Sequence, residues 1–150
     1  MGHQAAPRGH ELLPHTADAG LRARAPDLPS LFEEAAAALA GLAADVDPGA
    51  VAAEFPVEVG AEDLPALTYV WLNELISLAD ARAAAIAGAR VEAVTVAPAG
   101  GPVGLKATVA LVPYGRRARP RVNVKSATYH RLAVEPDPGG GWVLTAYLDL

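Results

Sequence analysis

Two stretches of this chain repeat apolar residues at spacings of three and four. Most of the remainder is cut by Pro and Gly into short segments that alternate apolar and polar residues. That imbalance, two helices against many strands, limits the available folds more than any other feature. In the first stretch Leu28, Leu31, Phe32, Ala35, Leu39 and Leu42 share one helical face, with Glu33 and Glu34 outside it. Asp27 and Ser30 both suit its N-cap, Pro29 suits its first turn, and the acidic pair suits the positive end of the helix. In the second stretch Leu64, Leu67, Trp71, Leu75 and Leu78 form the face, and Asn73 and Glu74 lie off it. The spacing predicts helices over roughly 28–43 and 62–79.

The strands follow from alternation. Leu21, Ala23 and Ala25 oppose Arg22 and Arg24, and Phe55, Val57 and Val59 oppose Pro56 and Glu58. Pro56 cannot donate to a ladder, so its strand belongs at an edge. From residue 84 the chain reads as mainly β, with strands at 84–86, 91–96, 105–112, 122–125, 129–134 and 142–148. The last two are joined by the Pro-Gly-rich turn 136–141 and read as a hairpin. Together these predict an α+β fold, two main helices packed on one face of a largely antiparallel sheet. Residues 1–9 have no pattern and read as a disordered N-terminal segment, 10–26 as an irregular lead-in followed by a strand, and 10–150 as a single domain.

Composition works mainly by exclusion. With no cysteine among 150 residues there is neither a disulfide framework nor a thiolate zinc site. No apolar run approaches the roughly 20 residues that span a bilayer. Residues 1–13 lack the basic start and apolar core of a secretory signal, so a cytoplasmic location away from membranes is expected. A net charge of −5 argues against a broad phosphate-binding surface, so RNA, if involved, would be held by a partner. Neither a P-loop, a dinucleotide fingerprint nor a nucleophile-elbow serine is present, which argues against an independent enzyme.

Three groups of residues are candidates for chemistry. Asp18 and Asp149 stand near opposite ends of the chain, and Leu150 adds oxygen donors through its terminal carboxylate if the native chain ends there. Carboxylates brought together need a hard cation or a shared proton. The plainer account is that Asp18 caps a turn and Asp149 is a solvated residue. His15 and His130 could ligate metal or transfer protons, but they follow no established zinc spacing. A structural histidine is the preferred account of His15, and a surface or hydrogen-bonding role is open for His130. The third group is basic: Arg116, Arg117, Arg119, Arg121 and Lys125 place five cations within residues 116–125. Either they form a solvated loop or they meet an acidic or phosphate-bearing partner. Ser126, Thr128, Tyr129 and His130 follow directly as further donors.

Four separated segments resemble the archease family: His15-Thr16-Ala17-Asp18-Ala19-Gly20, Trp71-Leu72-Asn73-Glu74-Leu75, Val124-Lys125-Ser126-Ala127-Thr128-Tyr129-His130, and the ending Leu148-Asp149-Leu150. Their order and spacing fit from about residue 10 onward. The resemblance implies a strand-helix-strand-strand module with a second such unit inserted into it. It also implies a non-enzymatic protein cofactor of an RtcB-type RNA ligase, which joins ends bearing a 3′-phosphate in tRNA splicing or RNA repair. Such a cofactor promotes guanylylation of the ligase and repeated turnover. The family's divalent-cation site falls on Asp18, Asp149 and Leu150, with Ca²⁺ foremost and Mg²⁺ or Mn²⁺ as alternatives. Its functional lysine falls on Lys125, with Thr128 and His130 beside it, and Arg117 and Arg119 are expected on the docking side. One departure stands out. Where the family carries a loop with a Gly-Glu pair, a further Asp and a His, this chain has Tyr114-Gly115-Arg116-Arg117-Ala118-Arg119-Pro120. Two rival functions come from other classes: a stand-alone metal-dependent hydrolase using Asp18, Asp149 and His15, and a chaperone or small-ligand binding module.

Overall fold

Each helix is started by an aspartate. The computed structural model describes residues 6–13 and 18–150. Asp27 caps α1 (Leu28–Ala43), its carboxylate accepting the Ser30 N–H at 2.8 Å, with Pro29 in the first turn. Asp63 caps α2 (Leu64–Arg82) in the same way through the Ala66 N–H at 2.8 Å. The second helix stops at Ala83, which takes a left-handed conformation with φ 48°. Glu33 and Glu34 do not sit in the first turn of α1 as the dipole argument required. They are used in tertiary contacts instead: Glu33 accepts the Val91 N–H at 2.8 Å, and Glu34 meets Arg8 and His10.

The strands are β1 (Gly9–Leu13), β2 (Asp18–Ala25), β3 (Ala44–Val46), β4 (Ala53–Ala61), β5 (Ala84–Val96), β6 (Val103–Pro113), β7 (Ala118–Pro120), β8 (Ser126–Pro136) and β9 (Trp142–Asp149). They form three antiparallel sheets rather than one. A four-stranded sheet runs β1-β2-β9-β8, a three-stranded sheet β4-β6-β5, and β3 pairs with β7 in a short ribbon. The first sheet draws its strands from both ends of the described chain and the second from its middle. The order β4, α2, β5, β6 is therefore a strand-helix-strand-strand unit lying within another made of β2, α1, β8 and β9. Pro56 sits on β4, an edge strand of its sheet among the described residues, where a residue lacking an N–H is tolerated.

Both helices touch both larger sheets. The first packs on β1, β2 and β5, the second on β8, β4 and β6. One continuous cluster of buried side chains results, drawn from both units. Trp71 is fully buried within it and donates its indole N–H to the Phe32 carbonyl at 3.0 Å, joining the two helices without an unsatisfied donor.

Two sequence expectations about strands fail here. The irregular lead-in contains a strand, β1, whose residues pair with β2 from Gly9↔Arg24 to Leu13↔Gly20. At 122–125 there is no strand. The Arg121 and Val122 N–H groups both reach the Ala43 carbonyl, at 2.8 and 3.3 Å, so this segment straps the end of α1. The ribbon β3–β7 was also unforeseen, since three residues per strand are too few to show alternation. Residues 1–5 lie outside the described residues, and the described end of the 1–9 segment is tied down by Arg8, which bonds Glu34 at 2.6 Å. Among the described residues no helix is long and apolar enough to cross a membrane.

Candidate functional site

Asp18 opens β2 and Asp149 closes β9, and the register makes them direct partners, Asp18↔Asp149. Leu21, Ala23 and Ala25 are fully buried, so alternation puts Asp18, Gly20, Arg22 and Arg24 on the outer face of the four-stranded sheet. Directly opposed residues in an antiparallel pair have Cβ atoms about 4.5–5.5 Å apart, and like charges so placed are destabilising. Asp149 is also the partner of Ser126, and its carbonyl accepts the Lys125 N–H at 2.8 Å. Asp18, Asp149 and Ser126 thus form a row across three strands, with Lys125 and Leu150 exposed at its end.

The donors in this row are oxygen throughout, which suits Ca²⁺, Mg²⁺ or Mn²⁺ rather than Zn²⁺. Among the described residues no group of three or more His, Cys, Asp or Glu side chains gathers to hold a metal. The donors brought together are two carboxylates and the main-chain oxygen of Leu150, an all-oxygen set whose chemistry a hard cation would fit. His15 and Thr16 lie outside the described residues.

The next row inward is Gly20, Tyr147 and Thr128, again by register. A Cβ on Gly20 would stand 2.8 Å from the Tyr147 ring and 2.9 Å from the Leu13 Cβ, so the tyrosine requires glycine there. Thr128 donates its hydroxyl to the Tyr147 carbonyl at 3.3 Å. Beyond Thr128 the register of β8 shifts before Ala133, and Arg131 takes φ 54° within that irregularity. His130 then meets Tyr147 edge-on, ring centroids 6.1 Å apart, while Tyr129 stacks on Tyr69 of α2 at 4.1 Å.

Asn73 is the residue that sequence reasoning undervalued. Placed off the apolar face by its spacing, it faces the open edge of β8 instead. Its side-chain oxygen accepts the Ala127 N–H at 2.9 Å, and its nitrogen donates to the Ala127 carbonyl at 3.3 Å and to Tyr69 at 3.0 Å. One amide therefore satisfies both backbone groups of Ala127 and locks the two central motifs together. The available signal was an asparagine flanked by buried Trp71, Leu72 and Leu75 on a strongly apolar helix.

Lys125, Thr128 and His130 thus lie in or beside the strand that flanks Asp149. Arg117 and Arg119 belong elsewhere, to the β3–β7 ribbon. Arg119 pairs with Asp47 at 2.8 Å and donates to the Arg116 carbonyl at 3.1 Å, while Arg121 approaches Asp45 at 3.6 Å. The Arg119 hydrogen bond holds the Asp47 carboxyl below its ordinary pKa. The Asp47 N–H meets the Arg117 carbonyl at 2.8 Å, which fixes the loop to the ribbon.

Comparison with known proteins agrees with this architecture. The sequence profile of the Archease protein family matches residues 10–150. Protein archease of Thermococcus gammatolerans is 33% identical over 136 residues, covering 91% of this chain and 94% of the relative. Protein archease of Pyrococcus furiosus is 30% identical over 141 residues with the same coverage, 91% and 94%. The solution structure of Methanobacterium thermoautotrophicum protein 1598 superposes with a TM-score of 0.72 at 29% identity, covering 95% of this chain and 99% of that one. A profile match across nearly the whole chain, two relatives at such coverage and a shared fold lead to one conclusion: this chain belongs to the archease family.

Proposed function

We propose that this protein is a non-enzymatic cofactor that activates an RtcB-type 3′-phosphate RNA ligase, promoting guanylylation and repeated turnover in tRNA splicing or RNA repair. The observation that supports this most is the row Asp18–Asp149–Ser126 with Lys125 at its end, built by strand register from motifs far apart in sequence. In this reading Asp18, Asp149 and Leu150 hold a divalent cation, Ca²⁺ or else Mg²⁺ or Mn²⁺. When bound, such an ion polarises phosphate oxygens and offsets charge that develops during nucleotidyl transfer. Lys125 supplies a mobile point charge for a phosphate, and Thr128 and His130 hold the neighbouring backbone and ring in place. The protein works in the cytoplasm and meets RNA only through the ligase.

A guanylylation assay of the ligase, with and without this protein, tests the reading. The fraction of guanylylated ligase and the number of ligation turnovers should both rise with the protein present and fall back with Asp149→Ala. No change in either quantity on adding the wild-type protein would sink the reading.

A further inference from the structure

The strap that failed as a strand covers a cleft. Between the ends of α1 and α2, the start of β5 and residues 120–124 lies a cavity of ≈ 380 Å³. Leu39, Ile76, Ala79 and Ile86 give it apolar walls, and Tyr114 and Arg121 stand at its rim. That volume falls within the range of sites that take a ligand group or a side chain, roughly 300–1,000 Å³. Burial, and after it the nearby Asp80 charge, hold the Tyr114 hydroxyl above its ordinary pKa, so it stays neutral and able to donate.

The lining itself carries one acid, Asp80, and one base, Arg121, and the positive charge is concentrated in the adjoining loop, whose two ends, Tyr114 and Pro120, both line the cleft. Arg116, Arg117, Arg119 and Arg121 all fall between Tyr114 and Val122, on a chain of net charge −5. Asp47 and Asp45 engage Arg119 and Arg121, while Arg116 and Arg117 are fully on the surface side of the loop. The cleft is also continuous with the acid row. Val124 lines it, and the next residue, Lys125, is bonded through its N–H to the Asp149 carbonyl at 2.8 Å.

We infer that this cleft receives one apolar side chain of a protein partner, from a segment whose flanking residues are acidic. The inference deepens the proposed function and rests on it, the partner being the ligase. The apolar anchor fills the walls of Ile76, Ala79 and Ile86, and the acidic flanks meet Arg116 and Arg117. Seated there, the partner lies one residue from Lys125. The segment replacing the family's usual acidic and histidine-bearing loop then has a role of its own, selecting an acidic surface on the ligase.

Ile76 and Ile86 are the chain's two isoleucines, and both line the cleft. The full-length protein, ¹³C-labelled at the isoleucine δ1 methyl groups, therefore reports on the cleft with two signals. Titration with unlabelled ligase should shift or broaden both. Ala79→Phe, which fills the cleft from within, should weaken binding by about tenfold or more. Arg116→Glu with Arg117→Glu should weaken it several-fold at low salt and less at high salt. If the ligase binds while both isoleucine signals stay in place, or Ala79→Phe folds and binds as tightly as wild type, the cleft is not the docking site and the ligase reading survives. If Ala79→Phe does not fold, the methyl titration and the arginine pair decide the matter alone. Failure of the wild-type protein to bind the ligase at all would overturn both the proposed function and this inference.

Discussion

The acid row and the arginine loop are two places where like charges gather, and they are assembled in opposite ways. Asp18 and Asp149 are isolated in sequence and become neighbours only through the β2–β9 register. The arginines are neighbours in sequence, and folding disperses their charge by bringing Asp47 to Arg119 and Asp45 to Arg121. A charge run read along the chain therefore overstates the field that remains after folding, and a lone acid at a strand end can understate it. Where register places two acids side by side, as at Asp18 and Asp149, the like charges gather through pairing between distant segments. Where a local turn supplies counter-charges, much of the run is engaged in holding the loop to the β3–β7 ribbon.

The sharpest way to separate the two regions is to remove one acid. Asp149→Asn should abolish ligase activation, while stability stays within about ±0.5 kcal/mol, as at other exposed positions. Trp71→Ala gives the opposite profile, a loss of roughly 3–5 kcal/mol from emptying a core site that also satisfies the Phe32 carbonyl. Guanylylation assays beside thermal melts distinguish them. An Asp149→Asn protein that activates normally would place the chemistry outside the acid row.

Asn73→Ala comes next in size. It strips both backbone partners from Ala127 at the edge of β8, which should cost about 1–3 kcal/mol. Activation should fall although no residue of the acid row has changed, because Lys125 and Thr128 flank the released segment. Amide hydrogen exchange at Ala127 checks the structural half. If protection there is unchanged in the variant, the clamp is not what holds the strand.

What was legible in the sequence follows the range of the forces involved. Both helices could be read because caps and apolar spacing are local: Asp27, Pro29 and the face from Leu31 to Leu39 act within a few turns. The edge position of β4 could be read because Pro56 lacks a donor whatever its neighbours do. β1 could not, since Gly9-His10-Glu11-Leu12-Leu13 has no alternation and is held by pairing with β2 and by the Arg8 and His10 contacts to Glu34. Val122 and Val124 alternate as a strand would, yet the segment pairs with no strand: its Arg121 and Val122 N–H groups bond the Ala43 carbonyl, and residues 120–124 line the cleft. In the candidate site, the motifs named residues that strand register brings side by side, Asp18, Asp149 and Ser126, but not their arrangement. Strand register, the irregular stretch of β8 and the Asn73 clamp are all fixed by contacts between distant segments, and no local pattern encodes them.

Smaller effects test the loop. Arg117→Glu and Arg119→Glu each change the net charge equally, so both should slow association with the ligase at low salt and by similar factors. They should differ in the isolated protein. Arg119→Glu faces Asp47 with a like charge and should loosen the ribbon, exposing the Asp47 N–H that bonds the Arg117 carbonyl. Arg117→Glu should leave that proton protected. Stopped-flow rates at two ionic strengths, with hydrogen exchange at Asp47, check both halves. Unchanged rates for both variants would make the loop a solvated one.

The smallest effect concerns pH, and it extends the same contrast to the anchor of β1. Glu34 is pushed up by burial, but hydrogen bonds from His10 and Arg8 outweigh this and leave its carboxyl below the ordinary range. A carboxyl lowered in the folded state binds its proton more readily when unfolded, so it stabilises the fold above its unfolded pKa of about 4.3. That contribution is lost as pH falls through the lower, folded value. Protection of the β1 amides should therefore be level from pH 7 to about 5 and decline only below about 4. Glu34→Gln should weaken the anchoring of β1 at neutral pH and flatten the acid decline, because the group that titrates is gone. A decline of β1 protection that persists unchanged in Glu34→Gln would assign the anchor to another group.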